Sequence, residues 1–258
     1  MFEGHPLSRR LKRKVKTTPS RPWHKQILPE QYLLALAATD ISSADNIRRN
    51  PDLVMHLLAA VARTNMTSSM QSVIVADVQG RFGEVTRQTV AEYLSVLKRL
   101  YVVEDIPQWF PSLRDKLRLR KSPKRMFADP SLAVSALKAR PADLARVPRT
   151  LGGIFENLCV RDFLVYTDAL GASLSHYHDA SGLEVDIIIE YGNQWAAMEI
   201  KLGTHRIEEG VRNLKRLRDK VTSKGAPPPA FLCVITAGGP VYTRDDGVFV
   251  VPIDCWKD

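Results

Sequence analysis

The sequence predicts an α/β chain in two parts, a helical unit closed by a basic β-hairpin and then an α/β unit around a central mixed sheet. Three observations predict it. Between residues 51 and 100 apolar side chains recur at helical spacing. Lys116, Arg118 and Arg120 then alternate with leucines, which places the basic residues on one face of a strand. From residue 150 a helix, three strands, a second helix and two strands follow in order.

Residues 1–50 read as a basic arm and a short helix. The arm holds Arg9, Arg10, Lys12, Arg13, Lys14 and Lys16, with Pro19 and Pro22 behind them. The helix runs from Gln31 to about Ala38. Residues 51–130 form the next unit. Pro51 suits the first turn of a helix carrying Leu53, Leu57, Leu58 and Val61 inward. A short helical piece spans Val73 to Val78, Gly80 and Gly83 allow a turn, and Thr86 caps a second helix to about Leu100. Arg87, Gln88, Lys98 and Arg99 are left to face outward, while Val90, Tyr93, Leu94 and Leu97 face inward. A strand over 101–106, ended by Pro107, precedes the basic cluster of Arg114, Lys116, Arg118, Arg120, Lys121, Lys124 and Arg125. Three helices and a basic hairpin are the order of a winged helix, whose recognition helix and wing touch DNA. The same geometry also serves protein contacts. Residues 131–149 read as a connector and residues 150–258 as the α/β unit.

Charge separates the two halves. Residues 1–130 hold 22 Lys/Arg against 12 Asp/Glu, and residues 131–258 hold 15 against 16. A basic first half points to a polyanion, with nucleic acid the first candidate. No apolar run is long enough to cross a membrane, and the basic N-terminus has no apolar segment behind it to make a secretory signal. Cys159, Cys233 and Cys255 are widely spaced and fit reduced core thiols of a cytoplasmic protein rather than disulfides or zinc ligands.

The second half carries the chemistry. The helix from Thr150 to Ala169 has Gly152 and Gly153 near its start, and Glu156 lies on the face they share with Cys159 and Val160. Two environments fit that acid: burial against the strands, or a local bond to backbone or Arg161. A hairpin pairs 174–178 with 184–190, and alternation places Val185, Ile187 and Ile189 on one face, with Glu184, Asp186, Ile188 and Glu190 on the other. Glu199 lies thirteen residues beyond Asp186, on a strand where it shares a face with Lys201. Carboxylates inside apolar, β-prone runs cost desolvation free energy unless a cation or hydrogen-bond donors meet them. Asp186 and Glu199 are therefore candidate ligands for Mg²⁺ or Mn²⁺, with Lys201 beside an activated water. His176 and His178 lack partners at zinc spacing and read as exposed or hydrogen-bonded. A helix from His205 to Lys220, a strand over 231–236 and a last strand over 248–253 complete the unit.

Asp186 with Glu199, Ile200 and Lys201, led by Glu156 on a helix, resembles the PD-(D/E)xK nuclease-like superfamily. More specifically, residues 50–205 resemble the C-terminal region of the ATPase-associated family known as domain of unknown function 4143. The resemblance rests on residues 86–94, on Lys121, Ser122, Pro123 and Lys124, on Asp129 with Leu132, on residues 152–158, and on the acidic pair with Lys201. It implies a winged helix followed by a restriction-endonuclease-like domain, behind an AAA-type ATPase. Here there is no GxxxxGK[ST] phosphate loop, so this chain offers no ATP site of that kind, as expected of a C-terminal fragment or a frame that has lost the ATPase. Asp129, Pro130, Ser131 and Leu132 also replace the family's Asp-x-Gly-Leu. Two readings stand. One is a DNA-binding, metal-dependent nuclease using Glu156, Asp186, Glu199 and Lys201, with DNA held by Arg87, Gln88, Lys98, Arg99, Lys116, Arg118, Arg120, Lys121 and Lys124. The other is an idle nuclease fold that binds DNA or protein beside an ATPase domain or subunit.

Overall fold

The computed structural model describes residues 24–68, 71–111 and 123–256. It is a mixed α/β structure with a two-stranded and a six-stranded sheet. The arm before residue 24, together with Arg114, Lys116, Arg118, Arg120 and Lys121, lies outside the described residues.

Helix α1 (His24–Ala35) is longer than the expected short helix and passes through Pro29. It continues through a π-helical turn (Leu36–Asp40) and one further turn (Ile41–Ser43), because Leu33, Leu36, Ala37 and Ile41 all bury against the next helix layer. Helix α2 (Pro51–Arg63) starts where Asn50 accepts a hydrogen bond from Asp52 N at 2.9 Å, with Pro51 in the first turn. Helix α3 (Gln71–Phe82) overruns the expected Val73–Val78 piece. Gly80 lies inside it, and the turn falls at Gly83, where φ is +61°. Helix α4 (Arg87–Arg99) begins where expected, since the Thr86 hydroxyl accepts from Thr89 N at 3.0 Å.

Strands β1 (Val103–Ile106) and β2 (Lys124–Phe127) pair antiparallel, Val103 opposite Phe127 and Ile106 opposite Lys124. Residues 131–149, read from sequence as a connector, contain helix α5 (Pro130–Ala136) and helix α6 (Pro141–Arg146). Leu132, Ala133 and Ala136 of α5 belong to the same core as α1 to α4. The cause is local: Asp129 accepts from Ser131 N at 2.7 Å, which caps a helix that Pro130 can start.

Helix α7 (Pro148–Leu170) leads the second unit and stops at Gly171 in the left-handed conformation, φ +66°. Strands β3 (Ser173–His178), β4 (Glu184–Tyr191) and β5 (Gln194–Lys201) run antiparallel. A 3₁₀ turn (Thr204–Arg206) and helix α8 (Ile207–Thr222) carry the chain back to β6 (Leu232–Thr236), which is parallel to β5. The short β7 (Tyr242–Thr243), absent from the sequence reading, pairs with β8 (Phe249–Pro252), giving the order β3-β4-β5-β6-β8-β7.

One face of this sheet packs under α8, where Ile207, Val211, Leu214, Leu217 and Val221 meet Val185, Ile188, Ala197 and Val234. The other packs under α7, where Phe155, Cys159, Val160 and Phe163 meet Ile187, Met198 and Ile200. Strict alternation in β4 therefore fails: Val185 sides with Ile188, and Ile187 with the opposite face. The register slips between Ser175 and Tyr177, opposite that stretch of β4, and a bulge there reverses the faces. Cys159 and Cys233 are buried thiols, while Cys255 is exposed, against the expectation that all three lie in the core.

The two units share one core. Met66, Ile106 and Met126 of the first pack among the α7-side residues of the second. Beyond β1 the chain adds to the edge of β3: His176 N donates to Pro107 O at 2.9 Å, and Trp109 N donates to His176 O at 2.6 Å. Of the two environments expected for His176, exposed or hydrogen-bonded, exposure is ruled out, since the residue is fully buried.

Candidate functional site

Four elements bring charge to one place. Strand β4 supplies Asp186, and its carboxylate takes the role of a ladder partner by accepting from Ile200 N of β5 at 2.9 Å. Helix α7 supplies Glu156. The approach of α7 to the first unit depends on Gly153, where a Cβ would stand 3.3 Å from Asn65 O, and Asn65 Nδ2 donates to Gly153 O at 3.1 Å. Strand β2 supplies Lys124, and β5 supplies Glu199 and Lys201.

Lys124 is the residue that sequence reasoning placed wrongly in space. Assigned there to the outward basic hairpin, it is 1% exposed and its Nζ points into the second unit. It donates to Glu156 Oε1 at 2.7 Å and to Asp186 Oδ1 at 3.3 Å, and it lies 2.8 Å from Glu184 Oε1. In β2 period two puts Lys124 on the face of Met126, which is fully buried. Glu156 accordingly has the strand-side environment of the two foreseen, because Arg161 pairs with Asp162 instead.

The second half of the site is a separate pair. Lys201 Nζ donates to Glu199 Oε2 at 2.5 Å, and Asn213 Nδ2 of α8 donates to Glu199 Oε1 at 3.0 Å. Gly210 lets α8 lie this close: a Cβ there would meet Glu199 Cβ at 3.2 Å and Lys201 Cε at 3.4 Å. Asp186 links the two halves, since the charges of both Lys124 and Lys201 act on it.

Electrostatics follows from the count of charges. Glu209, 3.9 Å from Lys201, is answered by Arg206, but the two ammonium groups still face four further carboxylates, so the cluster cannot be neutral with every acid ionised. Burial, with the Asp186 charge beside it, pushes Glu156 up to about 8 despite Lys124. Burial and the Asp186 charge likewise raise Glu199 well above the usual carboxylate range, against Lys201 and Asn213. Burial opposes ionisation of Asp186 too, but Lys124, Lys201 and the Ile200 N–H outweigh it and hold its pKa down. Asp186 is the committed anion of the group.

As arranged, these residues do not fit a divalent cation. Both Asp186 oxygens and both Glu199 oxygens already accept N–H donors. Among the described residues no group of three or more His, Cys, Asp or Glu side chains is placed to hold a metal ion. An ammonium sits between Glu156, Glu184 and Asp186 instead.

Asn157 was missed altogether. Fully buried next to Glu156, it grips β2 by accepting from Phe127 N at 3.3 Å and donating to Phe127 O at 2.8 Å. A lone amide in the apolar run of α7 was the signal available.

Of the outward-facing residues proposed for nucleic acid, Arg87 and Gln88 are exposed at the start of α4, and Gln88 donates to Glu92 at 3.0 Å. Lys98 pairs with Asp105, and Arg99 lies 3.4 Å from Asp45. The described residues before 112 hold 8 Lys/Arg and 9 Asp/Glu, whereas residues 1–23 hold 7 against 1 and residues 112–122 hold 5 against 1. The basic excess is thus concentrated in two stretches of sequence.

Residues 151–256 match the family model Domain of unknown function (DUF4143). This match covers the α/β part of the chain. Residues 17–143 match a second model, Domain of unknown function (DUF8612), so the two matches divide the chain close to the start of α7. No curated protein matches the chain. Among the described residues no helix is long and apolar enough to cross a membrane.

Proposed function

We propose that this chain is a nucleic-acid-binding module with a winged-helix-like first unit and a nuclease-like second unit whose acidic centre does not cleave. The observation that carries the reading is the Lys124 ammonium among Glu156, Glu184 and Asp186, where a hydrolytic metal centre would need open carboxylate oxygens. Binding rests on the basic stretches 1–23 and 112–122, with Arg87 and Gln88 at the exposed start of α4 as further contacts. DNA is the favoured polyanion. The ATPase-associated resemblance adds an ATPase domain or subunit as the partner that such a module would serve.

Affinity for a fluorescent duplex, measured at two salt concentrations with and without EDTA, tests this reading. If six or more phosphates are engaged, affinity should fall roughly 10³-fold or more between 50 and 200 mM salt, and EDTA should leave it unchanged. Plasmid and single-stranded DNA incubated with Mg²⁺ or Mn²⁺ should show no cleavage above that of an Asp186→Ala/Glu199→Ala double variant. Cleavage above that variant establishes the nuclease reading instead. Absence of binding at low salt leaves the first unit as a protein-docking module.

A further inference from the structure

The Lys124 side chain belongs to the hairpin of the first unit, yet among the described residues its polar partners lie in the second. Its ammonium has three N–H donors and meets three carboxylates within 3.3 Å, two as hydrogen bonds and Glu184 as an ion pair. Glu184 is half-exposed, while Glu156 and Asp186 are largely closed off. Three residues further along β2, the Phe127 backbone is held by Asn157, the neighbour of Glu156. Met66 N donates to Arg125 O at 2.9 Å on the first-unit side, so the residues between are tied to both units.

We infer that Lys124 is the resident cation of this acidic site, a side-chain substitute for a metal ion that locks the hairpin onto the sheet of the second unit. The inference deepens the non-cleaving reading above, since it gives the reason that site would not take a metal. Without the ammonium, Glu156, Glu184 and Asp186 would face one another with no cation among them. Like charges gathered in a largely buried space create strong demand for a cation, and carboxylate oxygens are what a hard divalent ion takes from a protein. The lysine therefore excludes the metal both by occupying the space and by answering the charge.

Lys124→Met keeps the length of the stem and removes the charge. Wild type, Lys124→Met and Lys124→Met/Asp186→Asn, each stripped with EDTA, are unfolded thermally with and without millimolar Mn²⁺. Wild type should show no Mn²⁺-dependent shift. Lys124→Met should unfold about 10 °C lower without metal, as breaking a buried ion pair commonly does, and Mn²⁺ should restore several degrees of that loss. The double variant should lose the Mn²⁺ response. If Lys124→Met does not fold alone, it is refolded with Mn²⁺, and recovery of its circular dichroism only with metal supports the inference. Failure to recover with metal overturns it, as does a Mn²⁺ shift in wild type equal to that of Lys124→Met, or a Lys124→Met protein as stable as wild type without metal. Loss of DNA binding alone would sink the functional reading and leave these metal responses unaffected.

Discussion

Glu156 shares the Lys124 ammonium with two other acids, and that crowding sets its proton affinity. Its pKa in the folded chain is about 8 against 4.5 as the ordinary value. Between those values the folded chain holds a proton that the unfolded chain has released. Stability is therefore fully present below the ordinary carboxylate range and is lost as pH rises toward and through 8. Thermal unfolding at pH 6 and pH 9 should show the lower midpoint at pH 9, and Glu156→Gln, which cannot ionise, should shrink that difference. Equal differences in the two proteins would show that Glu156 is not the group responsible. The acids themselves were legible in sequence, because Asp186 and Glu199 interrupt apolar β-prone runs where a charge must have a partner. Lys124 was not, because it stands at the end of a stretch of alternating basic residues that reads as a solvated face. Its place on β2, on the face of buried Met126, is what turns it inward.

At the scale of elements, β2 is held by a side-chain amide as well as by its strand partner. Asn157 satisfies the N–H and the C=O of Phe127, the last residue paired in that hairpin. Asn157→Ala leaves two backbone groups buried without that partner, at about 1–3 kcal/mol each. Denaturant unfolding should show a loss of roughly 2–4 kcal/mol, and a change below ~0.5 kcal/mol would mean the amide contributes nothing to holding the strand. Helix positions were readable where the start signal is explicit, as at Pro51 and Thr86, or where an apolar stripe is unbroken, as along α8. The faces of β4 were not. Alternation assumes an undisturbed pleat, and the slip opposite Ser175 and Tyr177 moves Val185 and Ile187 to opposite sides of the sheet. That irregularity lies in the pairing of two strands and leaves no mark in either one alone.

At the scale of the whole molecule, the helical unit and the sheet unit form one body, with Met66, Ile106 and Met126 inside the core of the second. The change of pattern and charge along the chain was visible in the sequence. The shared core and the edge contact of Pro107 and Trp109 with His176 were not, since they join residues about seventy positions apart. In this body the acidic centre is an internal junction, its cation supplied by the chain itself. The most direct measurement is a Mn²⁺ titration of the EDTA-stripped wild-type protein followed by electron paramagnetic resonance of the free ion. A junction filled by Lys124 predicts that essentially all added Mn²⁺ stays free through the micromolar range. One equivalent of bound Mn²⁺ in that range, abolished by Asp186→Ala/Glu199→Ala, would contradict the account and make the site a metal centre.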